Sequence, residues 1–210
     1  MLFDNWSEKL LPLLEKYKGR KHPLDYKNIY QLLIMVILSA QDSDANINKI
    51  SVPFFEIFPT INSLSKANLE EIIILINTVK NYQNKANWIK ETAAILKLEE
   101  NIPKNLNDLI QLKGVGRKSA NVILRESNQR AEGIIVDLHV IRVVPRIGIT
   151  PSYKEGNKIE KKLTQELPYE IWNDIGMAFS FLGRELCRPA NPKCDLCPIC
   201  QYCNYFNSNP

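Results

Sequence analysis

For its first 186 residues the chain contains no cysteine. All five (Cys187, Cys194, Cys197, Cys200 and Cys203) fall in the closing segment LCRPANPKCDLCPICQYCNYF. That distribution excludes a disulfide scaffold, which is short and spreads its cysteines through the fold. Long apolar runs are missing too: the longest, LLIMVIL from Leu32 to Leu38, is far too short to span a bilayer. The opening MLFDNWSEKL has neither the basic start nor the apolar stretch of a secretory signal. Internal repeats and low-complexity segments are also lacking. A cytoplasmic, reducing location is expected, nucleoid-associated in a prokaryote, with no membrane partner. In such a location clustered cysteines hold a metal more often than a disulfide.

What is present reads almost entirely as helix. WSEKLLPLLEKYKG carries Leu10, Leu13, Leu14 and Tyr17 on one face, with Pro12 marking a kink or a late start. DYKNIYQLLIMVILSAQ is apolar all round from Leu32, the mark of a helix buried inside a bundle, and a start near Asp25 is predicted. SKANLEEIIILINTV, NKANWIKETAAILKL and NLNDLIQL follow, separated by Pro, Asn and Ser. RKSANVILRE, VDLHVIRVVPRIG, NKIEKKLTQEL and YEIWNDIGMAFSFLGREL complete the series. GIIV, Gly133 to Val136, has no strand to pair with and is expected as an extended linker. The pattern predicts an all-α protein of about ten short helices.

Charge is mildly positive, +4, and its distribution says more than its sum. Between Gln111 and Arg130 stand Lys113, Arg117, Lys118, Arg125 and Arg130, opposed only by Glu126. Between Thr78 and Lys90 stand Lys80, Lys85 and Lys90 with no acid. Two such stretches point to a polyanion partner, although solvated helix faces would look the same.

Three motifs carry chemistry. LKGVGRKSANVIL joins two helices through Gly114-Val115-Gly116, a tight hairpin whose second helix turns its free N–H groups outward as an anion seat. Lys113, Arg117 and Lys118 surround that seat, which would hold a phosphate without reading a base, although Gly-x-Gly alone fits an ordinary helix–turn–helix joint better. Lys118 and Asp137 form the second: an amine near a helix start is a candidate nucleophile, and an aspartate can orient it and take its proton. Read alone, they are a solvated surface lysine and an N-cap rather than a catalytic pair. The third is the sulfur. Cys194, Cys197, Cys200 and Cys203 repeat every third residue, as in a ferredoxin run, whereas Cys187, Cys194, Cys197 and Cys203 give Cys-x6-Cys-x2-Cys-x5-Cys. Four thiolates in one short loop suit an iron–sulfur cube better than the two separated knuckles of a zinc site.

That cysteine spacing, preceded by LKGVGRKSANVIL and IIVDLHVIRV, resembles the endonuclease III family of base-excision DNA glycosylases, in the helix–hairpin–helix superfamily. The resemblance runs from about Leu24 to Cys203. It implies two helical domains with a cleft for DNA between them: residues 24–130 as a six-helix domain, and 1–23 with 131–210 as the other. It implies a 4Fe-4S cluster on Cys187, Cys194, Cys197 and Cys203, with Cys200 a spare. Lys118 matches the family's nucleophile and Asp137 its essential aspartate. In ILSAQDSD, Gln41 matches the residue that enters the gap left by a flipped base, and Asp44 a position near the substrate pocket.

His139 falls near the cleft, where it is structural or touches DNA; His22 is expected on the surface. The chain departs from the family at four places. Lys80 and Asn81 stand where an apolar wedge is common, Lys113 where proline precedes Gly-Val-Gly, Leu138 where threonine follows the aspartate, and Pro23 where some members carry a pocket acid. The implied activity is a bifunctional DNA glycosylase and AP lyase acting on oxidised pyrimidines. Its partner is double-stranded DNA with a damaged base or abasic site, and the chain is expected to be a monomer. A glycosylase for mismatched thymine or uracil, and a non-catalytic iron–sulfur DNA-binding module, are the alternatives.

Overall fold

The computed structural model describes residues 5–208. Among them are twelve α-helices, four short 3-10 turns and no strand. The chain divides into two compact units. One is contiguous, His22–Gln129, and the other joins the residues up to Lys21 with those from Arg130 onward.

The contiguous unit is built around α2 (Ile29–Leu38), whose Leu32 through Leu38 are all at most 1% exposed. α3 (Asp44–Ile57), α4 (Ile61–Ser65), α5 (Leu69–Ile76), α6 (Tyr82–Leu96), α7 (Leu106–Leu109) and α8 (Arg117–Glu126) follow. Of these, α3, α6 and α8 pack against α2. The polar punctuation of the sequence becomes helix caps. Asn28 accepts from the Gln31 N–H, Ser43 from Asn46, Thr60 from Ser63 and Asn105 from Asp108. The Asn28 cap corrects the start expected near Asp25: residues 25–28 stay outside the helix. α3 escapes the periodicity reading because it mixes asparagines with an internal Pro53.

His22 is a second correction. It is only 9% exposed, and its Nδ1 accepts the Leu24 N–H at 3.1 Å, so it closes a turn inside the unit.

In the other unit, α11 (Trp172–Glu185) is the central element, with α9 (Leu138–Ile147) and α1 (Trp6–Tyr17) packed on it and α10 (Gly156–Glu166) beside α9. α1 runs unbroken past Pro12 from Trp6, so proline delays nothing. A Cβ at Gly183 of α11 would lie 2.7 Å from the His139 Cβ of α9, so glycine is what lets these two helices approach. Residues 133–136 form the expected extended linker, buried along their length. The cysteine segment follows α11 with two 3-10 turns and ends in α12 (Asn204–Ser208). Among the described residues no helix is long and apolar enough to cross a membrane.

Candidate functional site

The hairpin connects α7 to α8. Gly114 has φ +81°, and a Cβ there would come within 2.8 Å of both the Ile37 Cγ2 and the Trp88 ring. Gly116 differs in kind: φ is −88° and a Cβ would meet nothing within 4 Å. The first glycine is therefore required by packing and backbone, whereas the second leaves open space outside the N-terminus of α8. That first turn holds Arg117 and Lys118, both exposed, and no acid. Cations beside a positive helix end are electrostatically disfavoured, so this arrangement suits an anion seated there. Lys113 is exposed and its Nζ lies 2.8 Å from Glu91.

The basic stretch from Thr78 to Lys90 resolves into different residues doing different things. Lys80 and Asn81 are exposed on the turn that starts α6. Lys85 is only 2% exposed, which corrects its reading as part of a polyanion-binding face. Its ammonium donates to the Leu38 and Ala40 carbonyls, each at 2.7 Å, where α2 ends. Burial pushes the Lys85 pKa down, and the nearby Asp42 charge partly restores it.

Gln41 follows directly, exposed and in the left-handed region at φ 60°, and Asn81 adopts the same conformation at φ 59°. For a glutamine this costs roughly 1 kcal/mol. Asp42 ties the two turns together: its carboxylate accepts the Lys80 N–H at 2.9 Å, the Ser43 N–H at 2.8 Å and the Asn46 side chain at 3.0 Å. Asp44, half-buried, is the first residue of α3.

In the other unit Asp137 is the N-cap of α9. Its Oδ1 accepts the backbone N–H groups of His139 and Val140, each at 2.9 Å. Its Oδ2 accepts the Ser180 hydroxyl at 2.6 Å and lies 3.8 Å from an Arg184 guanidinium nitrogen. The side chain is 14% exposed. Every bond fixes the carboxylate as an acceptor. Ser180 and Arg184 lie one turn apart on α11, and Arg184 Nε donates to Ser180 Oγ at 3.4 Å. Sequence reading missed both, because nothing local joins them to residue 137. Arg142 donates to the Gly183 and Cys187 carbonyls, at 2.9 and 3.1 Å, and to His139 Nδ1 at 3.2 Å. His139 is thus fastened at the α9–α11 contact.

All five cysteines are free thiols, and all five line one small cavity with Ile147, Leu182, Leu186, Pro192, Lys193, Tyr205 and Phe206. Burial raises the Cys197 thiol to about 11 and also raises Cys194. Arg146 Nη1 donates to Cys187 Sγ at 3.5 Å and the same guanidinium holds the Arg188 and Pro189 carbonyls. Among the described residues no three His, Cys, Asp or Glu side chains are gathered tightly enough to hold a metal ion. The donor set nonetheless suits an iron–sulfur core: soft ligands, an apolar wall and an N–H directed at sulfur.

The family model for HhH-GPD superfamily base excision DNA repair proteins matches residues 34–169. Endonuclease III from Synechocystis sp. is 33% identical over 190 residues, covering 90% of this chain and 86% of that one. Endonuclease III from Escherichia coli is 32% identical over 195 residues, covering 90% and 92%. Among solved structures, a trapped endonuclease III–DNA covalent intermediate superposes with a TM-score of 0.86 at 31% identity, covering 99% of this chain and 98% of that one.

Proposed function

The chain belongs to the endonuclease III family of HhH-GPD base excision DNA repair proteins, and on that premise we propose that Lys118 and Asp137 carry its glycosylase and AP lyase chemistry. DNA is its partner, and the enzyme is a DNA glycosylase and AP lyase. The likeness to a covalent endonuclease III–DNA intermediate supports a nucleophile on this chain, because a covalent adduct requires one. Lys118 is an exposed amine at the hairpin, in the first turn of α8.

The Lys118 nitrogen bonds to C1′ of the target sugar as the glycosidic C–N bond breaks and its electron pair leaves with the base. The amine's proton passes to a general base or to water. Opening of the sugar ring gives a Schiff base, which acidifies C2′–H. Removal of that proton expels the 3′ phosphate with its C–O electron pair, and water then releases the lysine. Asp137 also stabilises the positive charge that develops on the sugar, and its bonds to two backbone N–H groups and Ser180 hold it ready without reorganisation.

The open space beyond Gly116, flanked by Arg117 and Lys113, receives a backbone phosphate on damaged and undamaged duplex alike. Gln41, with Lys80 and Asn81, enters the stack when the damaged base leaves it; Asp44 belongs to the substrate pocket, and His139 touches DNA. The favoured lesion is an oxidised pyrimidine, and the enzyme acts as a monomer in the cytoplasm.

Cys187, Cys194, Cys197 and Cys203 would hold a 4Fe-4S cluster, which would cross-link the segment after α11. Arg188 and Lys193 of the loop they bracket would then meet phosphate. Iron takes these thiols as thiolates, so loading the site would release their protons.

Borohydride trapping tests the assignment. Lys118→Gln should abolish trapping on both abasic and damaged-base duplex, with DNA binding kept. Asp137→Asn should lose base removal by ~100-fold or more, since an amide neither takes the proton nor supplies the charge, while retaining some nicking of DNA already abasic. A trapped complex from Lys118→Gln would make another amine the nucleophile.

A further inference from the structure

Two turns of the contiguous unit, at Gln41 and at Lys80–Asn81, are joined by one cation and one anion. α2 has no basic residue in its last turn, so its closing carbonyls depend on a partner from elsewhere. That partner is Lys85, which comes from α6 and reaches the Leu38 and Ala40 carbonyls with two 2.7 Å bonds. Lys85 stands four residues after Asn81, so the side chain that closes α2 also anchors the turn opening α6, whose Asn81 carbonyl accepts the Lys85 N–H. Asp42 fastens the same two segments from the other side through the Lys80 N–H. Between these ties lie Gln41 and Asn81, both exposed and both left-handed. A buried ammonium is costly unless its partners are well placed, and an apolar residue would fill the same space at lower cost.

We propose that Lys85 and Asp42 are positioning residues that clasp the Gln41 and Lys80–Asn81 turns in the conformation from which their side chains enter the opened base stack. The clasp rests on the reading of those turns as the stack-entering segments. It acts before any bond is made, by holding two strained turns in place so that binding energy is not spent on ordering them.

The test compares a substrate that has a stack with one that has none. Lys85→Met keeps the length of the side chain and removes its donors. Asp42→Ala removes the second tie, and Asp42→Glu is the conservative control. Each iron-loaded variant is assayed in single turnover on a duplex containing one oxidised pyrimidine, and for nicking of an abasic site in a single-stranded oligonucleotide. A 2-aminopurine placed opposite the lesion reports opening of the stack.

Lys85→Met and Asp42→Ala should slow duplex excision by about tenfold or more, the effect of losing one buried tie. Both should blunt the 2-aminopurine rise and leave single-strand nicking within about twofold, with Asp42→Glu recovering part of the loss. Equal loss on both substrates, or no loss on the duplex, overturns the clasp. If Lys85→Met does not fold, the two Asp42 variants decide alone. Gln41→Ala and Asn81→Ala separate the premise from the proposal. If they leave excision and fluorescence unchanged, the stack-entering reading fails and the clasp with it. If they impair both while the Asp42 variants do not, the clasp alone fails.

Discussion

Gly114 and Gly116 look equivalent in the string KGVGRK, and the structure gives them opposite reasons for being glycine. Consider alanine at each. At Gly114 the backbone sits at φ +81°, which a residue with a Cβ adopts at a cost of roughly 1–2 kcal/mol. The new carbon would also lie 2.8 Å from the Ile37 Cγ2 and from the Trp88 ring, inside ordinary contact distance. Ile37 is fully buried in the central helix, so it cannot simply move away. Overpacking of this kind costs about 1–3 kcal/mol. The two effects together come to about 2–5 kcal/mol, or a fall in Tm of about 5–15 °C for a chain of this size.

At Gly116 φ is −88° and no atom lies within 4 Å of the Cβ position, so Gly116→Ala should shift Tm by no more than about 2 °C. Its effect belongs to binding: affinity for undamaged duplex, read by fluorescence anisotropy, should fall severalfold while the fold is intact. Thermal melts followed by circular dichroism measure the first quantity for both variants. The reasoning is refuted if Gly114→Ala melts within 2 °C of the parent, or if Gly116→Ala melts as low as Gly114→Ala.

The cysteine assignment predicts a brown protein with about four irons per chain. Serine at Cys187, Cys194, Cys197 or Cys203 should lose the colour and lower the melting temperature, whereas Cys200→Ser should keep both; iron analysis and visible absorbance decide, and one tightly bound zinc in a colourless protein would sink the cluster. Asp42 gives a pH dependence. Burial alone would raise its carboxyl pKa, but the N–H groups of Lys80 and Ser43, the Asn46 amide and the Lys85 charge outweigh it, and the folded value lies below 3.8. A depressed folded pKa means the stabilisation is complete above the unfolded value and is lost as pH falls through the folded one. Urea titrations at pH 5 and below should therefore show the parent losing stability more steeply than Asp42→Asn; parallel curves would remove Asp42 from that role.

What the sequence determined by itself lies close together along the chain. The hairpin, the run of helices punctuated by Pro, Asn and Ser, and the crowding of sulfur into one segment all follow from neighbours within about a turn, where spacing and geometry are nearly the same thing. Lys118 and Asp137 were legible as chemistry only through the resemblance, since alone they read as a surface lysine and an N-cap.

Contacts between residues far apart in sequence had to wait for the packed fold. Lys85 looked like one of three solvated cations, yet it lies inside, because α6 packs on α2 and puts the ammonium against carbonyls 45 and 47 residues away. Ser180 reaches Asp137 across 43 residues only because Gly183 lets α11 close on α9. Gly114 differs from Gly116 in its left-handed backbone and in meeting Ile37 and Trp88, both of which the hairpin acquires on folding. Periodicity records which face of a helix is apolar, but not which polar group that face will carry into the interior or what will be waiting there to receive it.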